Sequence, residues 1–330
     1  MRHFILLLVI PFLFSCKGNV EADGFVICSY NVQNMMDATL DGTEYEEYRP
    51  SEFWTEEMYR TRLQRLGRFL SSSRMRQCDL FVLEEIENER VLSDLVRLYL
   101  ARWGYGYYAA VKGEGSAIAV GIISRKEPSV VRSHGVIGGR PVLEAVFPSE
   151  AGEVVVLALH ARSRIDDDSE ETRLECMRTV RAVKADHPDA LVLACGDFNE
   201  DPDACLASSG QTAFVLAHHP SAPLFNERGS LVVCGERELV SKDIWYDPFL
   251  DDTLSFSAPG TYWYDGSWHR YDHIIGGERL FDGAGWEFLD FSVCAAFELL
   301  QTDGRPYAWD KKLLSGYSDH LPVILKLVRW

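Results

Sequence analysis

Runs of apolar residues alternate with polar segments along the chain and predict its strands and helices. Short runs rich in Val, Ile and aromatic residues predict strands over 25–30, 80–83, 105–111, 117–124, 141–147, 154–159, 190–194, 271–275 and 322–328. Apolar residues three or four positions apart predict helices that begin at Thr55, span about 89–100, and run from Ser169 to about 186. Residues 262–268 with 271–275 predict a hairpin around Asp265-Gly266. Residues 34–53 are typical of a polar loop, and 203–260 give no clear pattern.

This mixture of strands and helices is typical of one α/β domain with mixed sheets. The chain has 330 residues, of which 47% are hydrophobic and 25% charged, as in globular proteins. No repeat, linker or low-complexity tract divides it, and it contains no glycine-rich phosphate loop or dinucleotide fingerprint. The sequence therefore predicts a single domain that does not bind nucleotides through either motif.

The first residues predict a targeting segment and not a part of the fold. Residues 4–14 are apolar, but these eleven residues are too few for a membrane-spanning helix, which needs about 20. The run ends in Ser15-Cys16, which resembles a bacterial lipobox; an ordinary signal peptide with a chance cysteine is the alternative. The prediction is a lipoprotein signal peptide over 1–15, a lipid on Cys16, a tether over 16–24 and a folded domain over 25–330. Such a protein is lipid-anchored in the cell envelope, on its periplasmic or its outer face.

The net charge of −17 argues against a protein that binds nucleic acid through broad charge attraction. It is compatible with an enzyme that contacts phosphate through a metal ion. Of the eight cysteines, seven remain besides Cys16, an odd number with no CxxC pair. Neither a disulfide framework nor a zinc site is therefore predicted.

Polar side chains of a few types stand at the ends of the predicted strands. They are Asn31, Glu84-Glu85, His160, Asp197 with Asn199, Asp272-His273 and Asp319-His320. Asp197 and Asn199 are expected to alternate along extended backbone and to point to the same side. Carboxylates that lie together repel each other, and a hard divalent cation relieves that repulsion. If the strands share one sheet edge, the pattern predicts metal-assisted phosphoester hydrolysis; if they do not, these residues are ordinary strand ends.

Six segments resemble, in order, the successive motifs of the endonuclease/exonuclease/phosphatase superfamily, which shares the deoxyribonuclease I fold. They are SYNVQN (29–34), LEEIEN (83–88), ALHARSR (158–164), CGDFNEDP (195–202), YDHII (271–275) and GYSDHLPV (316–323). The GDFN and SDHLPV elements are the most specific, and the resemblance extends from residue 25 to the C-terminus. It implies a four-layer α/β sandwich, with two mixed β-sheets packed face to face and helices outside. The implied active site lies at one edge of the sheets.

The resemblance implies a metal site. Glu85 resembles the principal Mg²⁺ ligand of the family, and Mn²⁺ or Ca²⁺ are alternative ions. Asn31 resembles the residue that assists the metal and the phosphate, and Asp319 resembles a carboxylate close to the metal. Glu84 stands where the family usually has Gln, and it is expected to add negative charge beside the ion.

The resemblance also implies catalytic roles. His320 resembles the histidine near the attacking water or the phosphate. Asp272 resembles an acid that orients a second histidine through a hydrogen bond, and His160 resembles that histidine, in contact with the phosphate. Asp197 resembles the group that positions the water, and Asn199 resembles a donor to a phosphate oxygen.

Substrate contacts are less defined by the sequence. Arg140 resembles a substrate-binding arginine that contacts phosphate, and a local basic strip is expected from Arg125, Arg140, Arg162 and Arg164. The family often has larger residues between 112 and 124, where this chain has Ser116, Ala117 and Ala119. This difference puts duplex-DNA nicking in doubt. The aromatic residues of 262–268 either stack on a base or sugar, or pack within the hairpin.

These observations predict a monomeric, Mg²⁺-dependent phosphodiesterase or endonuclease-like enzyme that acts outside the cytoplasm. Its substrate would be a nucleic acid or a lipid or small-molecule phosphate. One alternative is a phosphatase or sphingomyelinase-like enzyme. Another is a surface-binding lipoprotein of this fold without catalysis.

Overall fold

The computed structural model describes residues 24–51, 53–164, 169–208 and 210–329. Cys16, the predicted signal peptide and residues 16–23 of the tether lie outside these ranges, so the lipid anchor and the domain boundaries stay predictions. Within the described residues, no helix combines the length and the apolar character needed to cross a membrane.

Sixteen strands and four α-helices form the regular structure of the described residues. The strands are β1 Gly24–Met35, β2 Leu80–Ile86, β3 Tyr107–Lys112, β4 Ala119–Ser124, β5 Val130–His134, β6 Val142–Phe147, β7 Val154–His160, β8 Leu191–Asp197, β9 Phe214–Leu216, β10 Leu231–Cys234, β11 Ile244–Tyr246, β12 Tyr262–Tyr264, β13 Ser267–His269, β14 Asp272–Gly276, β15 Trp286–Val293 and β16 Val323–Arg329. The helices are α1 Glu56–Leu70, α2 Glu89–Leu95, α3 Ser169–Asp186 and α4 Ala222–Arg228.

Two mixed sheets contain most of these strands. The first sheet has the order β15-β16-β1-β2-β4-β3, and the second has the order β5-β6-β7-β8-β14-β11-β10-β9. In the first sheet β1 and β2 run parallel, and in the second β7 and β8 run parallel while β8 and β14 are antiparallel. The carboxyl ends of β1 and β2 therefore share one edge, as do those of β7 and β8.

The two sheets pack face to face around one apolar core. Leu83 of the first sheet lies in the same buried cluster as Ala158 and Leu193 of the second. On the outer face of the second sheet, Val180 of α3 packs in a separate cluster with Val155, and α2 contacts β3 and β4 of the first sheet. This arrangement confirms the predicted α/β sandwich of two mixed sheets with helices outside.

The start of α1 follows its predicted cap. The Thr55 hydroxyl accepts a hydrogen bond from the Met58 amide and starts α1. Asn88 caps α2 in the same way, but the helix predicted over 89–100 continues after Leu95 as a π-helix over Val96–Leu100. The predicted third helix corresponds to α3.

The predicted hairpin is correct in its turn and wrong in its extent. Asp265 and Gly266 both have positive φ, at 46° and 81°, and join β12 to β13. The residues after them, however, form β14, which pairs with β8 in the second sheet. This difference is decisive for the site, because it brings Asp272 opposite Asp197.

Candidate active site

The residues predicted at strand ends meet at one edge of the sandwich. In the first sheet Asn31 of β1 lies opposite Glu84 of β2. In the second sheet His160 of β7 lies opposite Asp197 of β8, and Asp197 lies opposite Asp272 of β14. Because the two sheets are packed face to face, these short polar segments face one another across the edge.

A bulge in β2 separates two adjacent glutamates. Glu85 has φ of 61°, and the pairing of β2 with β4 shifts between Glu84 and Ile86. Glu84 and Ile86 are fully buried on either side of Glu85. Left-handed backbone is costly for a residue with a side chain, and such strain is often found at functional sites. Here it turns the Glu85 carboxylate towards the edge.

The segment after β8 is a tight turn, and the expectation of extended backbone there is wrong. Asn199 has φ of 51°, and its amide N–H donates to Oδ1 of Asp197 at 2.8 Å. Its side-chain Nδ2 donates to the Ala161 carbonyl at 3.1 Å. The turn holds both side chains against the end of β7, by a local hydrogen bond and not by strand alternation.

Two overlapping groups of ligand atoms lie within this edge. Atoms of Glu85, His160 and Asp197 lie within 4.8 Å of one another, and so do atoms of Asp197, Asp272 and His320. His160 Nε2 is 3.5 Å from Asp197 Oδ2 and 3.9 Å from Glu85 Oε1. Such distances leave room for an ion between the side chains.

The donor set fits a divalent cation. Buried Oδ1 of Asp272 has no hydrogen-bond partner among the described residues, and buried polar atoms rarely remain so without a ligand or water. Carboxylate oxygens are the ligands that Mg²⁺, Mn²⁺ and Ca²⁺ share. Glu85, with His160 and Asp197 beside it, is the part of the site that could hold such an ion.

Asn31 acts as a donor in this arrangement. Its Nδ2 donates to Glu85 Oε1 and to Asp197 Oδ2, each at 3.0 Å. Its Oδ1 accepts the backbone N–H of Gln33 at 3.0 Å. The oxygen of Asn31 is thus turned towards the backbone and not towards the carboxylates, and its assistance to a metal stays a prediction. Asn31 holds the two carboxylates together.

Asp272 orients His320, and the expectation that it orients His160 is wrong. His320 Nδ1 lies 2.7 Å from Asp272 Oδ2. Burial opposes a charge on His320, but the Asp272 carboxylate outweighs burial and raises the pKa of His320 well above its usual value. Tyr262 stacks on the imidazole, with ring centroids 4.5 Å apart. Asp272 therefore favours the imidazolium form of His320, and Asp272 and Tyr262 together fix the ring in place.

His160 has the opposite charge state. Burial lowers the pKa of His160 well below its usual value, and the positive charges of Arg140 and His320 lower it further. Arg140 lies beside the end of β7, where Nη1 donates to the Ala161 carbonyl at 3.3 Å and contacts the His160 carbonyl at 3.5 Å. The imidazole of His160 thus lies beside the guanidinium of Arg140, and burial favours the neutral form of this imidazole.

The carboxylates of the site are crowded. Burial raises the pKa of Asp197 to about 7, and Asp272 adds to this shift while His320 opposes it. Burial also raises the pKa of Glu85, with Asp319 as the next cause. Asp319 is positioned by its backbone N–H, which donates to Gln33 Oε1 at 3.1 Å. The charge of Asp319 thus acts on Glu85, although Asp319 belongs to neither compact group of ligand atoms.

Glu84 lies behind the site. It is fully buried, and Ser29 donates its hydroxyl to Glu84 Oε1 at 2.8 Å. Burial, followed by the nearby Asp272, raises the pKa of Glu84 well above its usual value. Burial therefore favours the neutral acid at Glu84, where the family usually has the neutral Gln, and this opposes the expectation that Glu84 adds negative charge beside the metal.

The predicted substrate contacts are only partly brought together. Arg140 borders the site, but Arg125 pairs with Asp79 at 3.3 Å, next to the start of β2 and thus at the opposite end of that strand. Arg164 forms an ion pair with Glu200, in which Nη1 lies 2.8 Å from Oε1. The aromatic residues divide as well, because Trp263 and Trp268 contact each other across the hairpin, whereas Tyr262 packs on His320.

Sequence reasoning missed three supporting residues. Tyr262 buttresses His320, Gln33 fixes Asp319, and the Ser318 hydroxyl donates to the Asn31 carbonyl at 2.7 Å. Gln33 and Ser318 belong to the quoted motifs, so their position beside Asn31 and Asp319 was a usable signal. The contact of Tyr262 depends on the long-range bridge between Tyr262 and His320.

Other proteins share this architecture. A model of the Endonuclease/Exonuclease/phosphatase family matches residues 26–258. The crystal structure of D. rerio TDP2 complexed with single strand DNA product matches at 15% identity with a TM-score of 0.55, covering 92% of this chain and 98% of that one. An AP endonuclease from Archaeoglobus fulgidus matches at 16% identity and a TM-score of 0.53, covering 91% and 98%.

A structure from a bacterium is similar to the chain to the same extent. An endonuclease/exonuclease/phosphatase family protein from Bacteroides thetaiotaomicron matches at 15% identity with a TM-score of 0.54, covering 93% of this chain and 98% of that one. No curated protein matches the chain. At these identities the solved structures show a shared fold, and the family match covers more than half of the sequence.

Proposed function

The chain belongs to the endonuclease/exonuclease/phosphatase family, and from this premise we propose that it is a Mg²⁺-dependent phosphodiesterase of the endonuclease-like kind. Members of this family are typically metal-dependent phosphoester hydrolases. The observation that carries the proposal is the meeting of Glu85, His160 and Asp197 with the Asp272–His320 pair at one edge. Hydrolysis of a phosphodiester needs charge stabilisation and proton transfer, and this set of groups offers both.

The residues divide these tasks by their charge. The His320 imidazolium donates a hydrogen bond to a phosphoryl oxygen, where negative charge develops. Asp197, whose pKa of about 7 allows it to exchange a proton near neutral pH, orients the attacking water. The side-chain amide of Asn199 carries two hydrogens. One is donated to the Ala161 carbonyl, and the second can be donated to the phosphate. A divalent cation held at Glu85 would neutralise charge on the phosphate.

Nucleic acid is the first substrate class to test. The similar D. rerio structure holds a single-strand DNA product, and the similar A. fulgidus structure is an AP endonuclease. In this chain Arg140 offers a guanidinium next to His160. The net charge of −17 favours single strands or short fragments over long duplexes, which need broad positive surfaces.

A substrate panel tests the proposal. The full chain is incubated with single-stranded DNA, duplex DNA, RNA, sphingomyelin and inositol phosphates, with Mg²⁺ or with EDTA. We expect Mg²⁺-dependent cleavage of a diester, strongest on single-stranded nucleic acid. Cleavage of phosphomonoesters alone would favour the phosphatase alternative, and binding of nucleic acid or lipid without any hydrolysis would favour the non-catalytic alternative.

The proposal includes a location outside the cytoplasm. It rests on residues 4–14 and on Ser15-Cys16, and it describes a monomer that is tethered to the envelope by a lipid on Cys16. Mass spectrometry of the mature N-terminus tests it. A lipid-modified Cys16 as the first residue is expected, whereas an unmodified N-terminus elsewhere would contradict the anchor.

A further inference from the structure

A second group of carboxylates lies outside the active site. The loop between β1 and α1 contributes Asp41 and Glu44, and the turn after β2 contributes Glu87. One oxygen atom from each lies within 4.8 Å of the others. Glu44 and Glu87 are buried, at 5% and 0% exposure, while Asp41 reaches the surface. Buried carboxylates in such proximity repel each other strongly unless something neutralises them.

Glu87 has an oxygen with no protein partner. Its Oε2 accepts the backbone N–H of Asp37, whereas its Oε1 is buried and has no hydrogen-bond partner among the described residues. An unsatisfied buried carboxylate oxygen is costly, because it has lost its water without gaining a donor. A bound cation would satisfy it. The unpaired oxygen of Glu87 therefore indicates a bound ligand. This evidence is independent of the number of acidic residues nearby.

The three carboxylates of the group outnumber the positive charges beside them. Lys112 Nζ lies 3.2 Å from Asp41 Oδ2 and donates to the Thr43 hydroxyl at 2.8 Å. Burial raises the pKa of Glu87 to about 7, so one lysine against three carboxylates leaves a net charge of −2 once Glu87 has lost its proton. The neighbouring Asp37 has its own partner, since Arg90 Nη1 lies 3.8 Å from its Oδ2. A single divalent cation matches the remaining charge.

We propose that Asp41, Glu44 and Glu87 form a calcium site that joins the loop after β1 to the end of β2. The three carboxylates offer oxygen only, with no imidazole or thiolate, which favours a hard cation. Two of them lie on an irregular loop, and Ca²⁺ accepts about six to eight oxygens in flexible geometry, whereas Mg²⁺ demands a near-ideal octahedron. Glu87 follows Glu85 by two residues, so the ion would tie this loop to the strand that carries the active-site glutamate.

The loop carries a residue that faces the active site. Arg140 interacts with the Tyr45 side chain, and the charge of Glu85 also acts on Tyr45. Because Tyr45 follows Glu44 directly, an ion at Glu44 would fix the position of this rim residue. The calcium site would therefore order one wall of the cleft, and it does not depend on what the cleft hydrolyses.

Calcium binding to the full chain tests the proposal by equilibrium dialysis. Glu85→Gln serves as the background, so that binding in the active site is weakened. Asp41→Asn and Glu87→Gln are added singly, and Glu298→Gln, an exposed acid in another loop, is the matched control. We expect one Ca²⁺ per chain in the background and in the control, and an affinity at least roughly tenfold lower in the two site variants.

Two results would overturn the proposal. One is no calcium binding by the background protein at roughly 5 mM, above the range of extracellular calcium modules. The other is equal affinity in all the variants while their circular dichroism stays native. Asp41→Asn decides the question if Glu87→Gln does not fold, since Asp41 is at the surface. As a second readout, Ca²⁺ is expected to raise the Tm of the Glu298→Gln protein more than that of the Asp41→Asn protein.

Discussion

At the level of single residues, burial and neighbouring charges give the two histidines of the site opposite states. The Asp272 carboxylate raises the pKa of His320, while burial lowers the pKa of His160. Two imidazoles that look alike in the sequence can therefore perform different tasks. The same edge also contains Asp197, with a pKa of about 7. These differences are the basis of the next two predictions.

Removal of His320 should abolish most of the activity. His320→Ala is expected to lower kcat/KM by roughly 10²–10⁴-fold, because it removes both a proton donor and the charge facing the phosphate. His134→Ala is the control, since His134 on the edge strand β5 pairs with Glu144 of β6 and belongs to neither group of ligand atoms in the site. Steady-state kinetics on the best substrate measures the effect. A His320→Ala rate within a few-fold of the wild type would refute this role.

The pH dependence of the reaction should report the Asp272–His320 pair. A raised pKa means that His320 is charged below that pKa and loses its proton as the pH rises through it. We therefore expect kcat/KM to fall on the alkaline side. Asp272→Asn removes the charge that raises the pKa of His320, so the fall should move to lower pH. A pH–rate profile in which the alkaline limb does not move, relative to an Asp290→Asn control, would contradict this assignment.

Glu84 offers a test of a neutral buried acid. If burial keeps its carboxyl protonated, Glu84→Gln should retain activity and stability, because the amide keeps the size and the acceptor for Ser29. Glu84→Ala should lower the free energy of unfolding by roughly 1–3 kcal/mol, since it leaves the Ser29 hydroxyl unpaired next to a cavity. Chemical denaturation measures both. A large loss in Glu84→Gln would mean that the charge is needed.

At the level of secondary-structure elements, the ends of strands decide the chemistry. The pattern of apolar residues predicts β2 over 80–83, but β2 continues to Ile86 through the bulge at Glu85. Residues 84 and 85 are both glutamates, so the sequence alone does not distinguish them. The bulge buries the Glu84 side chain and turns the Glu85 carboxylate towards the edge. The sequence can therefore locate such a strand end without deciding which of two adjacent acids faces the site.

The parallel pair β7 and β8 depends on one glycine. Gly196 has φ of 147°, and a Cβ built there would lie 1.9 Å from the Leu159 carbonyl oxygen. Gly196→Ala should therefore push β7 and β8 apart next to His160 and Asp197. We expect the free energy of unfolding to fall by roughly 2 kcal/mol or more. Gly135→Ala is the control, because a Cβ there meets no atom within 4 Å. Equal stability of the two variants would contradict this account.

At the level of the whole molecule, the sequence predicts the architecture well where local pattern is strong. The central strands and the capped helices combine apolar runs with cap residues, and these signals are local. Strands β9 and β11 have only three residues each, and β15 contains an exposed Leu289 and a shift in pairing after Phe288. Such strands are stabilised by their neighbours in the sheet, so a single sequence does not reveal them.

The sequence predicts which motifs form the site, but it does not predict the contacts between their side chains. Each motif predicts a polar strand end, and the fold brings these ends to one edge. The pairing of Asp272 with His320, the orientation of Asn31 and the packing of Tyr262 depend on register between distant segments. These contacts follow from the assembled sheets, because no local pattern in the chain encodes them.

The most direct test of the account is whether phosphodiester hydrolysis needs both a divalent cation and Glu85. The rate of cleavage of bis-p-nitrophenyl phosphate by the full chain is measured after EDTA treatment and during titration with Mg²⁺, for the wild type and for Glu85→Gln. We expect Mg²⁺ to restore the wild-type rate, and we expect Glu85→Gln to stay at least roughly 10²-fold slower at the same Mg²⁺ concentration. A wild-type rate that persists in EDTA, or a Glu85→Gln rate equal to the wild type, would contradict it.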